Sequence, residues 1–167
     1  SESGLESDRP DGREMAVVHH VFRRSLTEMP AFIGAARAGD GARVRQLAEH
    51  LGMVLDALHH HHSGEDELIW PLLLDRVPLQ ATLVAAMQSQ HAAVADGVER
   101  ARQLTDQWGH TADPALGTQL TRTLTELSAP LFAHLDEEEA RLVPIICNHL
   151  SAEEWDQLRR QAINNLG

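Results

Sequence analysis

A chain of 167 residues with 43% hydrophobic side chains is sized for one domain around one buried core. Its 14 Lys and Arg against 25 Asp and Glu leave a formal charge of −11, and no basic stripe runs along any predicted helix, which argues against nucleic acid and anionic membrane surfaces as partners. No apolar run reaches the ~18–20 residues of a membrane span, the polar start SESGLESDRPDGRE lacks a secretory signal's basic and apolar regions, and the single Cys147 permits no internal disulfide, so a soluble, cytoplasmic protein is expected.

Tyrosine is absent and only three Phe and three Trp occur, a balance that favours helices over a β-sandwich or barrel. Residues 1–10 read as a mobile leader, 11–149 as the main domain, and 150–167 as a short C-terminal helix packed on it. The first helix is expected from Asp11 to about Ala38 on the stripe Met15, Phe22, Leu26, Met29, Ile33, with Pro30 kinking or breaking it. Asp40 caps a second helix whose stripe Val44, Leu47, Leu51, Val54, Leu58, His61, Glu65, Leu68, Leu72 alternates steps of three and four. A turn at Val77-Pro78 leads to a third helix from about Leu79 to Trp108, with stripe Val84, Met87, His91, Val94, Val98, Ala101 and Gly109 as its stop. Asp113-Pro114 opens a fourth, with Leu120, Leu124, Leu127, Leu131, His134, Glu138 and Ile145 on one face and Pro130 and Pro144 as points of bending. Ser151-Ala152-Glu153-Glu154 is a capping box that starts the last helix, which carries Trp155, Leu158 and Ile163. Long helices joined by short turns predict an all-α, up-down-up-down four-helix bundle.

Eleven histidines are the anomaly, four of them consecutive at His59 to His62. Helices two and four repeat one another: His61-x-x-x-Glu65 followed by Leu68-Ile69-Trp70-Pro71 matches His134-x-x-x-Glu138 followed by Arg141-Leu142-Val143-Pro144, at a constant offset of 73 residues. His19 precedes His61 by 42 residues and His91 precedes His134 by 43, so the chain reads as two copies of a helix pair. A His and a Glu four apart lie on one helix face and reach the same small volume. Imidazole nitrogen binds a first-row transition ion, and a carboxylate can give one oxygen to each of two ions. Burying four imidazoles and two carboxylates without cations would be costly. The spacing therefore assigns a two-metal ligand set of His19, His61, Glu65, His91, His134 and Glu138, with His62 beside the stripe and able to reach inward.

His20 shares its stripe with Arg13 and Arg23 and is set aside, and His59 and His60 point outward. His50, His110 and His149 are expected at the surface, Cys147 as a packed thiol, and the remaining acids of 65–67 and 136–139 on solvated faces. No phosphate loop, nucleophile elbow, His-Glu-x-x-His helix or Cys-x-x-Cys pair occurs, nor the Glu-x-x-His pairs of ferritin-like di-iron proteins.

On His19, His61-x-x-x-Glu65 with LIWP, His91, and His134-x-x-x-Glu138 with LVP, the chain resembles the hemerythrin-like (HHE cation-binding) family from about Asp11 to His149. The resemblance implies a four-helix bundle with a non-haem di-iron centre, two iron ions carrying an oxo or hydroxo bridge. It puts His19 and His61 on one iron, His91 and His134 on the other, and Glu65 and Glu138 between them. Two departures from the family's oxygen carriers stand out. Ala95 occupies the place where they have a second histidine on the third helix, and a His-Glu pair four apart replaces their His-Asp pair five apart. A site poorer in imidazole leaves a coordination position for dioxygen, peroxide or another small ligand, with His62 or water as the replacement donor. The expected function is binding or processing of dioxygen or hydrogen peroxide, with oxidase-like or catalase-like activity. The alternatives are a non-enzymatic iron, oxygen or redox sensor, an oxygen-binding protein, and a zinc or mixed-metal structural site.

Overall fold

The structure is a computed structural model that describes residues 8–166. Its elements are α1 (Arg13–Ala35), α2 (Gly41–Gly64), α3 (Trp70–Arg76), α4 (Ala81–Thr111), α5 (Pro114–Glu137), α6 (Val143–His149) and α7 (Ala152–Leu166). A turn of π-helix at Glu65–Ile69 joins α2 to α3, another at Glu138–Leu142 joins α5 to α6, and a 3₁₀ turn at Pro78–Gln80 precedes α4. The described residues thus form five continuous helical rods and no strand. Residues 1–7 of the expected leader lie outside the described residues, as does the side chain of Ile163, while Pro10 is already buried.

The predicted caps are in place. Asp40 accepts the Arg43 N–H at 3.1 Å and Asp113 that of Ala115 at 2.9 Å. Two prolines leave their helices unbroken, and one expected stop does not act. Helix α1 continues past Pro30 and α5 past Pro130. Gly109 does not end α4, which stops at Ala112 in a left-handed turn with φ 54°. Gly109 serves packing instead, because a Cβ there would lie 2.8 Å from the Cβ of Ala48 on α2.

Helices α1, α2, α4 and α5 close into a ring in which each packs on its chain neighbours and α5 returns to α1. The connections between rods are too short to cross the bundle, so successive rods run antiparallel. The buried apolar side chains divide into two clusters, one containing Phe22, Leu58, Val94 and Leu131, the other Met15, Ile69, Met87 and Leu142. On the four rods of the ring the switch from one cluster to the other falls at or beside a histidine: His19, His61, His91 and His134 form a polar layer across the core.

Pro71 and Pro144 account for the π-turns. A proline ring crowds the carbonyl four residues earlier and has no N–H to offer, so the helix widens locally. The N–H groups of Trp70 and Val143 reach five residues back, to the carbonyls of Glu65 and Glu138. One extra residue rotates all that follows by roughly 100°. Beyond Glu65 the buried residues are therefore Ile69 and Leu73 rather than the predicted Leu68 and Leu72, and beyond Glu138 the stripe passes through Ile146 rather than Ile145.

The last helix is a fifth rod of 15 residues rather than a short tail. Its capping box forms as predicted: Glu154 N–H donates to Ser151 Oγ at 3.1 Å, and Ser151 N–H to Glu154 Oε1 at 2.9 Å. Arg76, at the end of α3, grips both oxygens of Glu154 at 2.7 and 2.6 Å and the carbonyl of His149 at 2.8 Å. Trp155 donates to Glu14 on α1, and Leu158 lies against Gly64, where any Cβ would collide with it. Helix α7 is thereby fastened directly behind Glu65. No helix among the described residues is long and apolar enough to cross a membrane.

The Arg76 guanidinium lowers the Glu154 carboxyl from 4.5 to about 2. A depressed folded-state pKa contributes stability above pH 4.5 that is lost as pH falls toward about 2. Glu154→Gln keeps the capping acceptor and removes the charge. It should lose on the order of 1 kcal/mol at neutral pH, a deficit that shrinks across that acid window in urea denaturation. A deficit that does not change with pH would rule out the ion pair as its source.

Candidate metal centre

All seven histidines and carboxylates singled out from the sequence converge on the polar layer. His19 comes from α1, His61 and His62 from the last turn of α2, His91 from the middle of α4 and His134 from near the end of α5. Glu65 and Glu138 are the first residues of the two π-turns. Both glutamates and His19 are wholly shielded from solvent, and none of the seven is more than 8% exposed. His20 and His59 face outward and His60 is half-buried, while His50, His110 and His149 are exposed, as expected. Cys147 is half-buried, and burial raises its thiol pKa, as suits a packed side chain.

The imidazoles meet in pairs. His19 Nε2 lies 3.3 Å from His61 Nε2, and His91 Nε2 lies 3.0 Å from His134 Nε2. Two nitrogens ~2.1 Å from one ion at right angles would be about 3 Å apart, so each pair has the separation of neighbouring ligands. Glu138 reaches both pairs with different oxygens: Oε1 is 3.3 Å from His19 Nε2, Oε2 3.2 Å from His134 Nε2. Glu65 Oε1 is 3.4 Å from His61 Nε2 and 3.6 Å from His91 Nε2. The ring of His62 stacks on that of His91 with centroids 4.0 Å apart and an 11° tilt. Donor atoms of His62, His91 and His134 all lie within 4.8 Å of one another, as do those of His19, His61 and Glu138, and those of Glu65, His91 and Glu138.

The electrostatics show what such a layer needs. Both oxygens of Glu65, both of Glu138, Nε2 of His62 and Nδ1 of His19 are buried without a hydrogen-bond partner, since the nearby ring nitrogens lack the alignment to donate. Burial acts to raise the Glu138 carboxyl, but contact with His134, His19, His61 and His91 outweighs it and holds Glu138 well below the usual range. Glu65 goes the opposite way, pushed well above that range by burial and then by the charge of Glu138. Burial also lowers His61, and His62 further still, which keeps these rings neutral with a free lone pair. Neutral imidazoles, paired carboxylates and unpartnered oxygens together form a donor set that fits a first-row transition cation.

A second ring of polar groups turns the imidazoles inward. His91 Nδ1–H donates to Asp66 Oδ1 at 2.9 Å, and His134 Nδ1–H donates to Gln90 Oε1 at 2.7 Å. Gln90 is itself held by Glu137 at 2.9 Å. His19 Nδ1 faces Glu139 Oε2 at 3.5 Å, and Arg23 binds both Glu139 and Asp136. In His91 and His134, where Nδ1 is engaged, Nε2 is the atom that carries the lone pair toward the centre. The sequence reading placed Asp66 and Glu139 on solvated faces. The signal for them was the repeat itself, since each directly follows the glutamate of its His-x-x-x-Glu.

The fold and the layer define a class, a helical bundle whose interior offers imidazole and carboxylate donors to cations. Residues 13–146 match the family described as Hemerythrin HHE cation binding domain, and the chain belongs to that family. No curated protein and no solved structure matches it.

Asp66→Ala removes the partner of His91 Nδ1. It should weaken cation binding by about 10–100-fold while leaving helicity unchanged, as read by metal titration and circular dichroism. Unchanged affinity would make Asp66 a bystander. Glu65→Leu should act in opposite senses on stability and binding. With metal removed by a chelator, relieving an unpartnered buried carboxyl should stabilise the bundle by about 1–3 kcal/mol in urea denaturation, while cation binding falls. A destabilised variant would contradict that reading.

Proposed function

We propose that the protein is a non-haem di-iron protein that binds or processes dioxygen or hydrogen peroxide at a partly open metal site. The observation that carries this reading is Glu138, whose two oxygens address two separate imidazole pairs, the arrangement a carboxylate shared by two ions requires. In this reading His19 and His61 hold one iron, His91 and His134 the other, and Glu65 and Glu138 span the two. When bound, the iron pair supplies one-electron chemistry and free positions for a small oxidant. Four imidazole nitrogens and four carboxylate oxygens furnish fewer donors than the about twelve positions of two six-coordinate ions, which leaves room for that oxidant or water.

The chain's own residues define the rest. The two glutamates balance cationic charge in a layer that apolar clusters seal on both sides. Asp66 Oδ1 holds the Nδ1 proton of His91 away from the centre. A cleft of about 170 Å³ between α2 and α4, lined by His59, His62, Asp66, His91 and Ala95, leads from the surface to the His91 ring. That volume admits molecules the size of water, dioxygen or peroxide. The acidic charge, which disfavours nucleic acid, and the single cysteine suit a cytoplasmic protein acting on such a small molecule.

A second reading, an iron or redox sensor without turnover, draws on the unpartnered buried carboxylates. They make the fold depend on cation occupancy, because binding and folding free energy are linked.

Metal analysis and the absorption spectrum of the iron-loaded protein, before and after peroxide, provide the test. Two irons per chain are expected, together with an oxidant-dependent spectral change, and His61→Ala or His134→Ala should lose metal. Well under two irons, or full occupancy in either variant, overturns the reading. Peroxide consumption supports the reactive protein; a large metal-dependent shift in melting temperature without consumption supports the sensor.

A further inference from the structure

We infer that the outward face of α1 is an interface between two copies of this chain, paired antiparallel about a twofold axis that passes beside residue 26. The interface is separate from the polar layer and does not depend on what that layer binds.

Helix α1 carries two stripes, and the inner one packs the core. The outer one is Val17, Val21, Arg24, Glu28, Ala31 and Ala35, in alternating steps of four and three, the spacing that keeps a seam on one side of a helix. Every member is exposed. Val17 is 66% exposed and Val21 47%, with Phe32 beside them at 44%. Val17, Val18, Val21 and Phe32 on α1 and Met53 on α2 make up five of the seven large apolar side chains exposed among the described residues. Exposed apolar surface is thus gathered on one face rather than scattered, as at a site of association. A groove of about 540 Å³ between α1 and α2, lined by Val21, Phe32 and Leu47 among others, continues that face.

The order of the outer stripe identifies the occupant. Val17 and Ala35, Val21 and Ala31, and Arg24 and Glu28 each lie at equal distances on either side of residue 26. Two antiparallel copies therefore set valine against alanine toward both ends and arginine against glutamate on both sides of the axis, the self-complementarity that a twofold contact requires. Within one chain Arg24 Nε donates to Glu28 Oε1 at 3.1 Å. The two terminal nitrogens of the guanidinium then serve Glu28 of the second copy. Arg24 and Glu28 also cancel, so the seam is neutral in a chain of formal charge −11.

Helix α2 agrees on the midpoint. His19 lies beside His61, and eight residues of helix rise about 12 Å, so Met53 is level with residue 27 of α1. The same axis brings Met53, 68% exposed, against Met53 of the second copy. The cleft between α2 and α4 stays open on the other side of α2.

Sedimentation equilibrium of the full chain, from low micromolar to several hundred micromolar, tests this. Wild type should reach twice the 18.4 kDa chain mass. Val21→Glu puts a carboxylate into the apolar part of the seam and should raise the dimer dissociation constant at least about tenfold, with circular dichroism and melting temperature unchanged. Arg24→Glu and Glu28→Arg each set like charges against each other across the axis, so each alone should be monomeric. An equimolar mixture of these two variants restores opposite charges at both contacts and should form a heterodimer, which a purely structural effect of either change would not produce. Wild type that stays monomeric at the highest concentration, the result expected if a different protein covers this face, overturns the inference. A dimer that survives all three single changes lies on another face and also overturns it. Monomers in the mixture exclude the antiparallel pairing.

Discussion

Glu65 and Glu138 are both wholly removed from solvent, among four imidazoles, and the rest of the bundle is arranged around that pair of buried carboxyl groups. A buried carboxylate pair is hard to sustain. Burial drives Glu65 well above its usual range, while histidine contacts hold Glu138 well below it, so the pair settles with unequal affinity for protons. A cation held by the imidazoles would relieve both groups at once, because it would supply direct charge compensation to the two carboxyl groups. The two apolar clusters on either side keep water from doing the same work.

Several local devices are subordinate to this layer. The π-turns begin at the two glutamates, so the helices that carry them change register where the carboxylates enter the core. Asp66 and Glu139, the residues immediately after them, approach the Nδ1 atoms of His91 and His19 on the opposite half of the repeat. Each half thus supplies a carboxylate toward the centre and a second one that supports the other half's histidine. Helix α7, tied to α3 by Arg76 and Glu154 and seated on Gly64 through Leu158, backs the same segment from outside.

The symmetry is incomplete, and the breaks are chemically specific. Gln90 supports His134, but the corresponding residue on α1 is Val18, which can support nothing. His62 stands opposite His91, and its counterpart is Leu135. Both departures enrich the His91/His134 side in polar partners. A layer built from a repeated helix pair has in this way become two chemically different halves.

The helices, their buried faces as far as the two π-turns, and the seven side chains that meet in the core were legible from the amino-acid order. Helix periodicity is local: His19, His61, His91 and His134 each sit in register with apolar neighbours three or four residues away, and that spacing alone assigns a face. The N-caps at Asp40, Asp113 and Ser151 were legible for the same reason. The rest depended on how the helices pack. The proline-induced π-turns moved the stripe from Leu68 to Ile69 and from Ile145 to Ile146, and a straight 3.6-residue extrapolation cannot register an inserted residue. Gly109, read as a helix stop, proved to be a point of contact with Ala48, far away in the chain. Asp66 and Glu139 read as solvated polar residues until helices α4 and α1 were brought beside them, and nothing in its neighbours marked Gln90 as the partner of His134. A side chain's face is set by its neighbours in sequence, but its partners are set by which helices the core draws together.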